Sequence, residues 1–321
     1  MSSILVTGIG GVVGQGILRN LRAMELGIRI VGTNTVRVSA GNHLCDAVHE
    51  VPFATAPGYI DTMRQLLVLQ DVRLVLPSTD YEAHVLARHR DSLPATVASA
   101  PAEVSGLCLD KFLNFERFAE RGLPFARSVL PSRYADDFPR TVVKPREGRG
   151  SRGIHVDPPD PRAFDDTHVV QEYLDGPELT TTFYVLKDGS LHGAITLRRN
   201  LDHGNTSSCE VERAYDAQID GLLRRMTAAF PFRGSCNLQS RVTAAGVVPF
   251  EINCRISGTN SIRAQFGFPD VAYTVQELLL GQRPDAPAIT GGCALRILHD
   301  VVYPDLSLAE LDNRDDRFRI F

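Results

Sequence analysis

The chain has 321 residues, a formal net charge of −4 and 43% hydrophobic residues. That length supports two or three subdomains with a real core. The mild charge, without a basic tract, excludes a nucleic-acid footprint, and no apolar run has the length of a membrane span.

The amino terminus enters a strand pattern at Ile4-Leu5-Val6 without a signal-peptide layout. The six cysteines are scattered with no CxxC spacing, which argues against a zinc site or a disulfide framework and for a reducing cytoplasm. Only three of the 34 basic residues are lysines: Lys111, Lys144 and Lys187. In such an arginine-rich background, a surviving lysine marks a place where a compact ammonium is wanted rather than a guanidinium fork.

Residues 4–21 read strand, glycine turn, helix, with Gly8, Gly11 and Gly14 in a TGxxGxxG arrangement. This opens a Rossmann-like βα unit, and two roles stand for the turn: close packing, or a nicotinamide dinucleotide site. The second strand, Arg29 to Thr33, ends in Thr33-Asn34 instead of the acid that a dinucleotide ribose wants. A helix is expected over 59–70, a short buried strand over 72–76 and a helix over 81–90 capped by Thr79 or Asp80. Asp80 and Glu82 lie at a strand's carboxyl end, where they either touch a ligand or cap the helix. The alternation predicts a parallel α/β sheet to about residue 105.

Asp110-Lys111 begins a helix that ends at Gly122 and Pro124. The strand Thr141 to Lys144 leads into a glycine-rich basic tip, 145–153, and then Ile154-His155-Val156. Such a tip either closes over phosphates through its amides and cations or is a surface loop. Short strands follow at 169–174, 180–185 and 191–197, with a hairpin turn at Asp188-Gly189 and a polar loop from Asn200 to Ser208. Helices are expected at about 217–230 and 270–280. Arg199 or Arg263 is a candidate to grip a substrate carboxylate bidentately, the alternative being solvated surface charge.

Between the last two helices lies a β-hairpin with arms 235–242 and 247–253. Side chains alternate across a strand, so Glu251 and Asn253 share a face, and Gln239 can join them from the paired arm. One carboxylate and two amide oxygens suit Mg²⁺, which keeps waters and takes phosphate oxygens as further ligands. The alternative is an ordinary half-buried hairpin with a wet polar face.

In this order, Lys111, the VVKP strand with its glycine loop (144–153), the stretch 171–178 and Gln239 with Glu251-Ile252-Asn253-Cys254-Arg255 resemble the ATP-grasp superfamily, in particular its carboxylate–amine ligase and carbamoyl-phosphate-synthase-like members. The resemblance implies an α/β fold with an N-terminal Rossmann-like domain (1–105) and an ATP-grasp domain (106–321). The latter would divide into a lid subdomain (about 125–178) and a C-terminal, metal-binding subdomain (about 179–321). It implies ATP as cofactor with Mg²⁺, or Mn²⁺ in its place. Lys111 and Lys144 would bind phosphates, and Gly148, Gly150, Ser151 and Gly153 would form the lid. Glu172, Tyr173 and Leu174 would hold adenine through backbone atoms and Glu178 the ribose. Gln239, Glu251 and Asn253 would bind the metal. Arg255, with Lys144 and Arg199, would serve the phosphoryl transfer. The chain departs from the family's pattern at Cys254, usually proline, and at Gln239, often acidic.

The activity so implied is an ADP-forming ligase that activates an amino-acid or small peptide-like acid as an acyl phosphate and couples it to an amine. Other readings are bicarbonate as the acid, a partner-dependent ATP-binding subunit serving a carrier protein or a second subunit, and a nicotinamide-dependent reductase. A homodimer accords with the family.

Overall fold

The computed structural model describes residues 2–148, 152–311 and 317–321. The chain packs as two compact units. One contains Met1–Ala102, Arg255–Ile289 and Arg296–Phe321; the other contains Glu103–Cys254 and Thr290–Leu295.

The first unit opens with β1 (Ser3–Val6), α1 (Val12–Ala23), β2 (Arg29–Asn34), β3 (Ala47–Glu50), α2 (Tyr59–Leu69), β4 (Val72–Leu76), α3 (Asp80–Arg88) and β5 (Thr96–Val97). The strands form one all-parallel sheet in the order β3-β2-β1-β4-β5. Both faces are covered, so β1 is apolar at successive positions rather than alternating. Ile4 and Val6 pack with Ile17, Leu18 and Leu21 of α1, while Leu5 packs with Tyr59, Met63 and Leu66 of α2. The glycine turn closes tightly on itself. Gly8 has φ of +56°, and a Cβ on Gly14 would lie 2.5 Å from the Gly8 carbonyl oxygen. Helix α3 is capped by Thr79, whose hydroxyl accepts from the Glu82 N–H at 3.2 Å. The Glu82 carboxylate in turn accepts from the hydroxyls of Thr79 and Thr7, both at 2.7 Å. Strands β3 and β5 escaped sequence detection because they are only four and two residues long.

The second unit carries α4 (Ala102–Leu109), which straddles the cut, and α5 (Lys111–Glu120). Strands β6 (Ser128–Val129), β7 (Thr141–Pro145), β8 (His155–Val156) and β9 (His168–Glu172) make an antiparallel sheet in the order β6-β9-β7-β8. After them come β10 (Glu178–Val185), β11 (Leu191–Asp202), β12 (Asn205–Val211), α6 (Asp216–Ala229), β13 (Gly234–Thr243) and β14 (Gly246–Asn253). The loop expected over 200–208 is instead the tip of a hairpin. β11 runs on to Asp202, and β12 starts three residues later. Its two turn residues, His203 and Gly204, both have positive φ, the backbone that lets a two-residue turn follow the strand twist. The strand expected over 191–197 is the start of β11; polar side chains on both faces hid its end and β12 from hydrophobic pattern reading.

The chain then adds α7 (Asn260–Gln265) and α8 (Asp270–Leu278) to the first unit, where Ile256, Val271 and Val275 join the cluster around Ile4 and Val6. β15 (Cys293–Leu295) is an edge strand on β12, completing a six-stranded antiparallel sheet in the order β14-β13-β10-β11-β12-β15. β16 (Val301–Val302) and β17 (Arg319–Ile320) pair with each other. No helix among the described residues is long and apolar enough to cross a membrane.

Arg263 is not a substrate-gripping residue. Its side chain is fully buried, with Nε donating to Asp270 Oδ1 at 2.9 Å and Nη2 to Oδ2 at 2.6 Å. Nη1 donates to the hydroxyls of Ser257 and Thr259. A guanidinium committed on both edges of its fork in a dry interior ties α7 to α8 and offers nothing to a ligand. Removing one charge of a buried pair strands the other. Asp270→Asn should therefore cost about 3–5 kcal/mol, measured as a lower urea midpoint with an unchanged slope.

Candidate active site

Four of the predicted site residues of the second unit share one sheet face, and Lys144 reaches the neighbouring strand from another sheet. In antiparallel pairing, residues directly opposite project to the same side. Glu178 lies opposite Arg241, Thr180 opposite Gln239, and Gln239 opposite Glu251; Asn237 lies opposite Asn253. Glu178, Gln239, Glu251 and Asn253 are thus brought to one face by register alone. The β13–β14 ladder has an irregularity at this point: Gln239 pairs with Glu251, but the next residue, Ser240, pairs with Pro249. Phe250 is left out of the ladder, as in a bulge. Its carbonyl is then available to a donor from elsewhere, and that donor is Lys144.

Lys144 sits in β7 with its side chain buried. Its ammonium donates to Gln171 Oε1 at 2.9 Å and to the Phe250 carbonyl at 3.3 Å, and lies 5.3 Å from the centre of the Phe250 ring. Burial pushes its pKa down to about 8, against the raising effect of Glu251; Lys111 lowers it further and Glu178 raises it. That ammonium therefore feels the charges of three other predicted site residues. Gln171 is held by its own amide, which donates to the Ser128 hydroxyl at 3.1 Å.

Lys111, also buried, is the first residue of α5. Asp110 caps that helix, accepting from the Phe112 and Leu113 N–H groups at 2.9 and 3.2 Å. The same carboxylate receives Arg146 Nε at 3.1 Å, and the Lys111 N–H donates to the Arg146 carbonyl at 3.0 Å. The end of β7 is thereby tied to the start of α5, and the Lys111 ammonium reaches the same carbonyl at 3.4 Å. Of the predicted lid, Gly148 and Gly153 are described. A Cβ on Gly153 would lie 3.2 Å from Pro145 Cγ, and its φ of +68° favours glycine. Gly150 and Ser151, with Arg149, lie outside the described residues.

Glu172 and Tyr173 have their N–H groups committed to the Arg127 and Arg140 carbonyls at 2.9 and 3.0 Å. The Glu172 carboxylate grips the Arg127 backbone N–H and Nε, each at 2.8 Å. Arg140 stacks over the Tyr173 ring at 3.8 Å, with Leu174 next in the chain.

Arg199, expected where a strand ends, lies inside β11, which runs on to Asp202. Nε and Nη2 donate to Glu178 Oε1 at 3.0 and 2.7 Å, and Nη2 also donates to Gln239 Oε1 at 2.9 Å. Its neighbour Arg198 pairs with Glu210 and Glu212. Asn253 Nδ2 donates to Glu251 Oε1 at 3.2 Å. Among the described residues there is no cluster of three or more His, Cys, Asp or Glu fit to hold a metal. The hard-oxygen set here has one carboxylate and two amides, which fits Mg²⁺ if phosphates supply the remaining negative charge.

Arg255 belongs to the first unit. Its Nη2 donates to Asp80 Oδ2 at 2.8 Å and Nη1 to the Ile256 carbonyl at 3.2 Å, while its buried Nε has no hydrogen-bond partner among the described residues. Cys254 is buried, and its contact with Cys236 adds to the burial that pushes the Cys236 thiol pKa well up. Sequence reasoning gave Arg146, Gln171 and Arg241 no role of their own, although Arg146 lay in the basic tip, Gln171 opened the stretch 171–178 and Arg241 alternates with Gln239. A cavity of about 420 Å³ elsewhere, lined by Arg22, Glu25, Arg29 and Asp46, contains none of these residues.

Residues 164–301 match a family model, ATPgrasp_Ter, described as ATP-grasp in the biosynthetic pathway with Ter operon. No curated protein matches the chain by sequence. The fold is similar to N5-carboxyaminoimidazole synthetase from Staphylococcus aureus, solved with ADP, at a TM-score of 0.75 and 12% identity, over 92% of this chain and 82% of that one. It is similar to the N5-carboxyaminoimidazole ribonucleotide synthetase of Thermus thermophilus at a TM-score of 0.71 and 12% identity, over 99% and 92%. The biotin carboxylase domain of Hydrogenobacter thermophilus 2-oxoglutarate carboxylase, a dimer solved with MgADP, ADP and bicarbonate, gives a TM-score of 0.69 at 15% identity, over 88% and 70%.

Lys144 also makes the site costly. An unfolded chain holds that proton up to about pH 10.5, whereas the folded chain releases it near 8, so stability rises with pH between those values and the full cost is carried below 8. Lys144→Met should therefore stabilise the chain at pH 7, by at most about 3 kcal/mol less the lost hydrogen bonds. The gain should shrink as pH rises from 8 towards 10.5, as followed by chemical denaturation across that range.

Proposed function

We propose that this chain, whose residues 164–301 match an ATP-grasp family model, is an ATP-grasp protein and an ADP-forming ligase that activates a carboxylate as an acyl phosphate and joins it to an amine. The observation that carries this reading is the buried Lys144 ammonium. It is in electrostatic contact with Lys111, Glu251 and Glu178 in a single site. Two lysines buried together destabilise a fold unless an anion joins them, and phosphates are the anion for which compact ammoniums are suited. Glu178 is assigned to the ribose of ATP and the backbone of Glu172, Tyr173 and Leu174 to its adenine, with the Glu172 and Tyr173 N–H groups already committed within the fold; Gly148, Gly150, Ser151 and Gly153 are assigned to closure over its phosphates.

Gln239, Glu251 and Asn253 are assigned to hold Mg²⁺, or Mn²⁺ in its place, which when bound neutralises charge on the transferring phosphoryl group. Lys111 and Lys144 orient the phosphates for in-line attack by the carboxylate. Their charges are preorganised, because Gln171 and the Phe250 and Arg146 carbonyls already hold them, so little reorganisation accompanies the reaction. By the resemblance Arg255 would steady the transferred phosphoryl group; within the first unit its own partner is Asp80. No covalent nucleophile is needed. The chain's contribution is to position the groups and exclude water from the acyl phosphate. An amino-acid or small peptide-like acid and a small amine are the assigned substrates, in a homodimer. The bicarbonate bound to the H. thermophilus domain favours a second reading, with bicarbonate as the acid.

ADP release with Mg²⁺-ATP, measured against amino acids singly and in pairs with mass spectrometry of products, tests the assignment. Turnover that needs one pair and yields a product lighter than that pair by one water is the expected result. Turnover with bicarbonate alone selects the second reading. Tight ATP binding without turnover selects a chain that works with a carrier protein or second subunit. Glu251→Gln, which keeps the shape and removes the single carboxylate of the metal set, should lower ATP turnover by about two orders of magnitude. Undiminished turnover would refute the assignment of that strand.

A further inference from the structure

We propose that Arg199 and the divalent cation are alternative partners of Gln239, so that the cation binds well only together with nucleotide and its arrival hands the Arg199 guanidinium to a substrate anion. The inference rests on the assignment of Gln239, Glu251 and Asn253 to the metal. Its starting point is that Arg199 Nη2 holds Gln239 Oε1 at 2.9 Å, while Nε and Nη2 hold Glu178 Oε1 at 3.0 and 2.7 Å. One side chain thus occupies an oxygen assigned to the cation and one assigned to the ribose.

The residue type at position 239 makes the competition sharp. A carboxylate has two oxygens and a negative charge, enough to serve a guanidinium on one side and a cation on the other. A glutamine has one acceptor oxygen and no charge. The guanidinium cannot relieve the conflict by losing its proton. Side-chain exposures of 12% for Arg199 and 14% for Glu178 leave little water to screen a cation placed beside it. Anionic phosphates arriving with the cation relieve the repulsion. A ribose that takes Glu178 then removes the other anchor of Arg199. The freed guanidinium lies beside the metal set, where an acid must sit to receive a phosphoryl group. Arg199 in this scheme couples the two binding events.

The test is Mn²⁺ binding to the full chain without nucleotide, read by loss of the free-ion electron paramagnetic resonance signal, with MgADP binding measured in parallel by calorimetry. Arg199→Met should bind Mn²⁺ alone at least about ten-fold more tightly than the wild type. Gln239→Glu, which keeps the arginine and supplies the second oxygen, should do the same, and so covers the case in which Arg199→Met fails to fold. Arg199→Lys, which retains the charge, should stay near the wild type. Adding Glu251→Gln to Arg199→Met should abolish the gain, which places the ion on the assigned strand. If the variants bind Mn²⁺ alone no better than the wild type while all bind MgADP, the competition is refuted. If the wild type does not bind MgADP, the site assignment fails and the inference fails with it.

Discussion

Strand register in the sheet β10–β13–β14 is the constraint on which the site depends. Opposed residues of antiparallel strands share a face. Pairing Glu178 with Arg241, Gln239 with Glu251 and Asn237 with Asn253 therefore gathers the polar groups on one side. A one-residue slip of β14 would turn Glu251 and Asn253 away and bring the apolar Ile252 in their place. The other face of the sheet resists that slip, because Leu238 and Ile252 are fully buried there.

The bulge at Phe250 links this sheet to the four-stranded sheet of the same unit. It releases a carbonyl, and Lys144 uses it. Burial there brings the pKa of Lys144 down to about 8, because the nearby charges of Glu251 and Glu178 offset the loss of solvent only in part. A directly paired lysine would be cheaper to bury, but its charge would be spent on its partner. Held by a carbonyl and an amide, Lys144 keeps its charge available.

The first unit shows the opposite use of buried charge. Asp270 takes two donors of Arg263, at 2.9 and 2.6 Å, and the hydroxyls of Ser257 and Thr259 take the rest of its fork, which leaves Arg263 no capacity for a ligand. Arg199 lies between these extremes, paired yet at the site. The contrast between Arg199 and Arg263, both candidates for gripping a substrate, lies in the partners that folding supplied.

The sequence by itself determined the types of the longer elements and the alternation that puts Glu251 with Asn253, because both follow from local periodicity and turn chemistry. It narrowed the cap of α3 to Thr79 or Asp80 and began a helix at Asp110-Lys111, because helix starts are set by residues two or three positions apart. The scarcity of lysine singled out Lys111 and Lys144 through composition alone. It did not disclose the short strands β3 and β5, nor the end of β11 and its pairing with β12, whose turn at His203-Gly204 lacked a hydrophobic frame. Only the tertiary structure decided that Arg263 belongs to Asp270, that Arg199 bridges Glu178 and Gln239, and that Gln171 and Phe250 hold Lys144. The Gln171–Lys144 contact spans 27 residues and the Phe250–Lys144 contact spans 106. Contacts of that range depend on strand register and packing, which no local pattern encodes.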